Sequence, residues 1–507
     1  MTLVSALLEK GRRIPAHRPW PRVVVDDQRW QQAVLGIAAG EATLLGLWSD
    51  GQAVHMGLLG TPVAEVLIIS LDCPTRRFPS VSLTHPPALR LERAIADLFG
   101  IEPECCPDPR PWLDHGRWGV HHPLGNCEQA PQQVAPYVFH TSEGPPMHQI
   151  PVGPVHAGII EPGHFRFTAN GETVVRLEQR LGYVHKGIDS LMRGASIDRA
   201  TKLAARVSGD STVAYSYAFA RAVEAALCLT VPPRAVLLRA LMAELERVAN
   251  HFGDIGAICN DASFSLMHAH CGALREHVLH TADICFGHRL MMDRIVPGGV
   301  AVDIGEKGIG SVAALIDTVR RKFPEQIELY DKTTSLQDRT VGTGKLTAEL
   351  ARQYGAGGYV GRGSGRAFDA RRALGDAPYK DLEFDVPVRH QGDVDARIWI
   401  RILEVEQSLR MLDQMMKRLT PGTIRNESRP VVDEQASREG SALVEGFRGD
   451  ILVWVRMAGN DTVACAHLRD PSWFQWPLLE AAIEGNIVAD FPLCNKSFNC
   501  SYSGADL

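Results

Sequence analysis

The feature that most limits what this chain can fold into is a long run, from Val174 to about Asp293, in which apolar residues recur at helical spacing. Pro232-Pro233 stands where proline is best tolerated, at the opening of a helix, and Leu237, Leu241, Leu245 and Val248 then form a stripe along it. An apolar stripe of that length has to be covered by other helices, so the run predicts a helical bundle. Asp395–Leu419 resumes the same periodicity, whereas Ala356–Ala377, rich in Gly and Arg, reads as an ordered loop between helices. Asp450–Cys465 reads as one hairpin.

Before the bundle the pattern changes. Residues 20–125 mix short β-like runs, Ala42–Leu47 and Glu65–Leu71, with an amphipathic helix over Leu89–Phe99. Between Gly125 and Pro151 the chain is rich in Pro, Gln and Gly without sustained periodicity, which reads as a linker. A length of 507 residues also exceeds what one core supports, about 250–300 residues. The expected fold class is therefore α+β: a small N-terminal α/β domain over 1–125, a linker over 126–150, and a large mainly helical domain with minor β hairpins over 151–507.

A formal charge of −6 with no block of five or more like charges leaves no electrostatic footprint for nucleic acid. The longest apolar stretches, such as Val66-Leu67-Ile68-Ile69, fall far short of the roughly 20 residues that cross a bilayer. Lys10, Arg12 and Arg13 follow the short apolar N-terminal run, the reverse of an export signal, and the 11 scattered cysteines read as reduced thiols. The expected location is the cytoplasm.

Cysteine spacing is the most specific metal signal a sequence carries, and no Cys-x-x-Cys occurs. Cys105-Cys106 are adjacent, Cys494 and Cys500 are too far apart for that motif, and in Met267-His268-Ala269-His270-Cys271 helical neighbours at i and i+2 face different ways. The last cluster is therefore read as packing or surface. Gly355-Ala356-Gly357-Gly358 and Gly361-Arg362-Gly363-Ser364-Gly365 lack the strand-then-helix setting of a nicotinamide-binding loop and read as tight turns. A polar cluster of Glu161, His164, Arg166, Glu178, Arg180, His185 and Lys186 lies among apolar residues; such groups relay protons or form structural ion pairs, and composition leaves both open.

The residues from Gly153-Pro154-Val155-His156 through Glu161-Pro162-Gly163-His164-Phe165-Arg166-Phe167 resemble the N-terminal signature of membrane-bound hydrogenase large subunits. Leu181-Gly182-Tyr183-Val184-His185-Lys186-Gly187, Val231-Pro232-Pro233-Arg234, Ala243-Glu244-Leu245-Glu246-Arg247, Asp338-Arg339-Thr340-Val341-Gly342 and Phe384-Asp385-Val386-Pro387 extend the likeness, which the related 49 kDa-type subunit of respiratory complex I shares. Leu91-Glu92-Arg93, Asp97-Leu98-Phe99-Gly100-Ile101 and Pro107-Asp108-Pro109-Arg110 are similar to the complex I 30 kDa-type subunit. The fusion of both units resembles the large subunit of formate hydrogenlyase.

The resemblance implies four nickel-ligand places, and these read Ser208, Ser211, Ser501 and Gly504. A serine hydroxyl stays protonated near neutral pH and is a hard, weak donor, so nickel is not expected. The quinone-binding tyrosine of the complex I relative belongs within Ala205–Gly209, where no Tyr stands, and His164 is only near the place of its histidine. The implied activity is that of a peripheral-arm subunit in a membrane oxidoreductase of the NADH-quinone oxidoreductase and energy-converting hydrogenase type. Its implied partners are an iron–sulfur small subunit carrying a [4Fe-4S] cluster, membrane-arm subunits including a quinone-site protein, and antiporter-like subunits, on the cytoplasmic side of the cell membrane. Glu161, His164, Glu178, His185, Arg339 and Asp369 are the candidate lining of the former active-site cavity and its proton path. The alternative implied by the same losses is a catalytically inert scaffold that couples its partners.

Overall fold

The computed structural model describes residues 2–142, 144, 146–155, 160–426, 438–459 and 461–507. The N-terminal part carries a five-stranded sheet in the order Arg12–Arg13, Arg22–Val24, Val66–Asp72, Ala53–Gly60, Ala42–Ser49. Its two long antiparallel partners are almost wholly apolar and buried, and Leu89–Phe99 turns Leu91, Ile95, Leu98 and Phe99 toward them, as the periodicity requires. Gly100, at φ 64, closes that helix in the left-handed conformation.

Beyond it, Met147–Val152, His164–Asn170 and Thr173–Arg180 form an antiparallel sheet. The helical reading from Val174 is therefore wrong at its start. Over so short a run, helical and strand periods are hard to tell apart, and cross-strand pairing decided the outcome. The bundle itself is made by Thr212–Leu227, Pro233–Asp261, Ser265–Phe286, Glu306–Lys332 and Val394–Arg418. Leu241, Leu245 and Val248 are buried along the second of these, as predicted. The stretch Ala356–Ala377 is not all loop: it contains the short helices Gly358–Gly363 and Ala370–Ala373.

The hairpin read near Asp450–Cys465 belongs to a larger sheet of Val463–Arg469, Gly449–Met457 and Arg438–Gly446, and His17–Arg18 from the N-terminal part joins its edge in parallel. This sheet lies against Thr212–Leu227 so closely that a Cβ at Gly440 would stand 1.9 Å from the Ala222 carbonyl oxygen. Only glycine permits that contact.

One apolar core runs through the bundle. A second is continuous from the N-terminal sheet into Phe165, Tyr359, Trp476, Phe498 and Tyr502, so the two ends of the chain share a core. Within 126–150, Glu128–Gln129 pairs with Val120–His121, and Tyr137 accepts a hydrogen bond from Arg93. Among the described residues, no helix is long and apolar enough to cross a membrane.

Candidate functional site

The four places implied by resemblance converge, although nearly 300 residues separate the two pairs. Ser208 and Ser211 flank a short turn just before the helix Thr212–Leu227, while Ser501 caps Tyr502–Asp506 by accepting from the Gly504 N–H at 2.9 Å. The Ser208 and Ser501 hydroxyl oxygens lie 3.1 Å apart.

A carboxylate and a guanidinium occupy the middle of this group. Asp210 accepts from the Ser208 hydroxyl at 2.7 Å and pairs with Arg448, whose Nη2 lies 2.5 Å from its Oδ2. Arg448 also donates to the Ser211 oxygen at 3.1 Å and packs over Phe447. Burial alone would raise the Asp210 pKa, but the Arg448 charge and the serine hydroxyls hold it down to about 2. On the far side, Asp470 accepts from the Tyr215 hydroxyl at 2.6 Å and from the Ser472 N–H at 2.8 Å. A Cβ at Gly504 would lie 2.5 Å from Asp470 Oδ2.

This donor set does not fit nickel. Three hydroxyls, two of them in contact with each other and the third held by Asp210 and Arg448, and a position without a side chain offer no thiolate, and a fixed guanidinium already supplies positive charge there. Cys494 and Cys500 are buried nearby, and burial pushes both thiols up, Cys494 to about 11, the opposite of what a metal ligand needs. Among the described residues no His/Cys/Asp/Glu group is arranged to hold a metal. Met267 and Cys271 are buried while His268 and His270 face outward, which matches the packing reading.

Behind the turn, Glu246 accepts the Val213 and Ala214 N–H groups at 2.7 and 3.0 Å and so caps the Thr212–Leu227 helix in place of a side chain of its own. Its burial pushes its pKa up to about 8. Asp210, Asn250, Asp254, Arg275 and Asn499 border a polar cleft that opens beside the Asp210–Arg448 pair.

The candidate lining residues are spread more widely than one cavity. Glu161 accepts from the Ser503 N–H at 3.1 Å and thus touches the segment that carries Ser501 and Gly504. His185 meets the Asp506 carbonyl oxygen at 2.6 Å beneath Trp118, with its pKa lowered by burial. His164 and Glu178 lie together on the antiparallel sheet, facing the N-terminal part: Glu178 pairs with Arg110 at 2.7 Å, and His164 contacts Phe139. Arg339 stands apart in an ion pair with Asp490 at 3.1 Å. Asp369 lies deep in the bundle, paired with Arg371 at 2.6 Å. The structure brings Glu161 and His185 to the C-terminal segment and leaves the other four elsewhere.

Asp210, Arg448, Asp470, Tyr215 and Glu246 are the site residues that sequence reasoning passed over. A signal existed for Glu246: it sits with Arg239, Glu244 and Arg247 on a helix otherwise read as apolar, and buried charges there need partners. For Asp470 and Tyr215, which are 255 residues apart, there was none.

Comparison with known proteins identifies the family to which the chain belongs. Residues 49–133 match the family described as respiratory-chain NADH dehydrogenase, 30 Kd subunit, and residues 261–443 the corresponding 49 Kd subunit. The chain is 30% identical to formate hydrogenlyase subunit 5 of Escherichia coli over 88% of its own length and 80% of that protein. It is 31% identical to the carbon monoxide-induced hydrogenase of Rhodospirillum rubrum, over 69% of this chain and 97% of the other. It is 30% identical to an NADH-quinone oxidoreductase subunit of Desulfotalea psychrophila, over 67% and 91%. A chain in the structure of the membrane-bound sulfane sulfur reductase, an archaeal respiratory membrane complex, superposes with a TM-score of 0.66 at 24% identity, covering 71% of this chain and 98% of that one, which shows a shared fold.

Proposed function

Because the chain belongs to the family of complex I-related hydrogenase large subunits and 49 kDa-type NADH-quinone oxidoreductase subunits, fused to a 30 kDa-type unit, we propose that it is the peripheral-arm subunit of a membrane oxidoreductase that runs without nickel. In this reading residues 151–507 dock on an iron–sulfur small subunit, residues 1–125 form the accompanying unit, and the assembly sits on the cytoplasmic side of membrane-arm partners, antiporter-like subunits among them. Electrons pass between the partner's cluster and a quinone, and the polar groups around Asp210 carry protons where a metal centre would carry hydride. Glu161 and His185 touch the C-terminal segment beside that place and Glu246 caps the helix that follows it, while His164, Glu178, Arg339 and Asp369 are the proposed outer members of the proton path.

The observation that carries this reading is the convergence of Ser208, Ser211, Ser501 and Gly504 around the Asp210–Arg448 pair. The site is rebuilt with complementary charges. The test is elemental analysis of the purified native complex together with the reoxidation of its reduced iron–sulfur cluster by added quinone, followed by electron paramagnetic resonance. No stoichiometric nickel and a quinone-dependent loss of the reduced-cluster signal are expected; nickel at one per chain would overturn the proposal. A second reading, a scaffold without chemistry that couples its partners, is favoured by the direct Ser208–Ser501 contact, which closes the former ligand positions on each other. Its signature would be a cluster signal indifferent to every quinone tried.

A further inference from the structure

A second cleft lies where the N-terminal part meets the antiparallel sheet. It is bordered by Arg90 and Arg93 of the helix Leu89–Phe99, Trp112, Arg176 and Gln179 of the strand Thr173–Arg180, and Glu480 of the helix Ser472–Ile483. The cleft holds about 270 Å³. That is nearly twice the ~150 Å³ that admits benzene and just under the ~300 Å³ at which pockets for small molecules begin. Such pockets collect where two units of a chain meet.

The carboxylates here are already engaged. Asp108 accepts from Arg110 on both oxygens and pairs with Arg93 at 3.1 Å. Glu178 accepts from Arg110 on one oxygen and from the His140 N–H on the other. Glu480 lies 2.7 Å from Arg90 and accepts from the Gln179 N–H at 2.9 Å.

Donors remain. A guanidinium carries about five N–H groups. Arg90 directs one nitrogen to Gln179 Oε1 at 3.3 Å and another to Glu480, while Arg176 reaches the Thr141 carbonyl and Thr168 hydroxyl oxygens at 3.0 and 3.5 Å through a single nitrogen. Because Arg90 holds the Gln179 oxygen, the amide NH2 of Gln179 turns away from it. Neither that NH2 nor the Trp112 indole N–H has a partner among the described residues, and both side chains are 2% exposed, a depth at which an unmet donor is destabilising. Charge has the same sign as this surplus of donors. Arg176 is in no ion pair among the described residues, and Glu484, which feels its charge, lies beyond ion-pair distance. Arg180, 4.1 Å from the ring centre of Tyr137 in the cleft wall, is in none either, and Asp97, whose charge it feels, lies beyond that distance as well.

We infer that this cleft binds a small organic anion, its carboxylate or phosphate taken by Arg90, Arg176 and the Gln179 amide and its apolar part lying against Pro86, Tyr354 and Pro477. One half of the site is pre-organised within the N-terminal part: the Arg90 and Arg93 guanidiniums lie over the Trp112 ring, 4.5 and 5.1 Å from its centre, so little freedom is lost when the anion arrives. The other half, Arg176 and Gln179, belongs to the antiparallel sheet, so a bound anion ties the two parts of the chain together. This binding is independent of the function proposed above.

The experiment is thermal unfolding of the full chain with phenyl phosphate, with benzoate and with benzyl alcohol as the uncharged control, all at one ionic strength. At ten times its dissociation constant an accepted anion should raise Tm by about 3 °C, and the alcohol should leave it unchanged. The larger rise identifies the headgroup. In Arg176→Glu, which breaks no ion pair among the described residues, the same anion should bind at least ~10-fold more weakly. The nitrogen-15 resonance of the Trp112 indole in the unaltered chain, which needs no variant, should move as that anion is added. No rise in Tm with either anion overturns the site, and so does an equal rise in Arg176→Glu together with an unmoved Trp112 resonance.

Discussion

Gly504→Ala tests whether the space beside Gly504 is empty or filled. The added Cβ would lie 2.5 Å from Asp470 Oδ2, 2.7 Å from its Cγ and 2.9 Å from Ser501 Oγ. Asp470 cannot simply swing aside, because Tyr215 holds Oδ2 at 2.6 Å and the Ser472 N–H holds Oδ1 at 2.8 Å. Overpacking of this kind costs about 1–3 kcal/mol. If the Tyr215 bond to the carboxylate breaks, about 1.5–3 kcal/mol is added. The sum, about 2.5–6 kcal/mol, lowers Tm by about 5–12 °C at the ~2 °C per kcal/mol of larger domains. The assay is calorimetry of the full chain at one scan rate, with Ser208→Ala beside it. That variant loses the hydroxyl bond to the Asp210 carboxylate without any new contact and should cost about 1.5–3 kcal/mol. A Gly504→Ala melting temperature within about 1 °C of the unaltered chain would refute the packing argument. The same geometry predicts that Gly504→Cys, combined with cysteine at 208, 211 and 501, leaves nickel content at background.

Other consequences follow from buried charge. Arg239→Met strands Glu224, its partner at 2.5 Å, and should cost about 3–5 kcal/mol by chemical denaturation, with Glu224→Leu added to it recovering most of the loss. Burial pushes Asp97 up to about 6, so the folded state keeps a proton that the unfolded state releases, and this contribution is lost as pH rises from about 4 to about 6. Asp97→Asn, which can still accept from Trp112 and Leu113, should flatten the stability profile in that window; an unchanged slope would count against it. His85 has the opposite sign: burial, with no hydrogen-bond partner among the described residues, lowers it to about 4, so its contribution is present above about pH 6.5 and lost as pH falls toward 4. His85→Leu should remove that acid-side loss in the same denaturation series.

Much of this molecule was decided by local sequence. The helix over Leu89–Phe99, the proline-opened helix with its Leu241–Leu245–Val248 stripe and the strands near Ala42 and Val66 all follow from apolar spacing and end signals, because those forces act within a few residues. That the four places implied by resemblance, 208, 211, 501 and 504, carry no thiol was also legible, since donor chemistry depends on residue type alone. What replaced them was not. Asp210 finds Arg448 at a sequence separation of 238, Tyr215 finds Asp470 at 255, and Arg371 finds Glu244 at 127. A buried charge must be paired, so a sequence announces that partners exist for Glu244 or Arg448, but only the packing of helices and sheets chooses which. The same holds for Gly504: its lack of a side chain is plain in the sequence, and that Asp470 fills the space it leaves is decided by the tertiary fold.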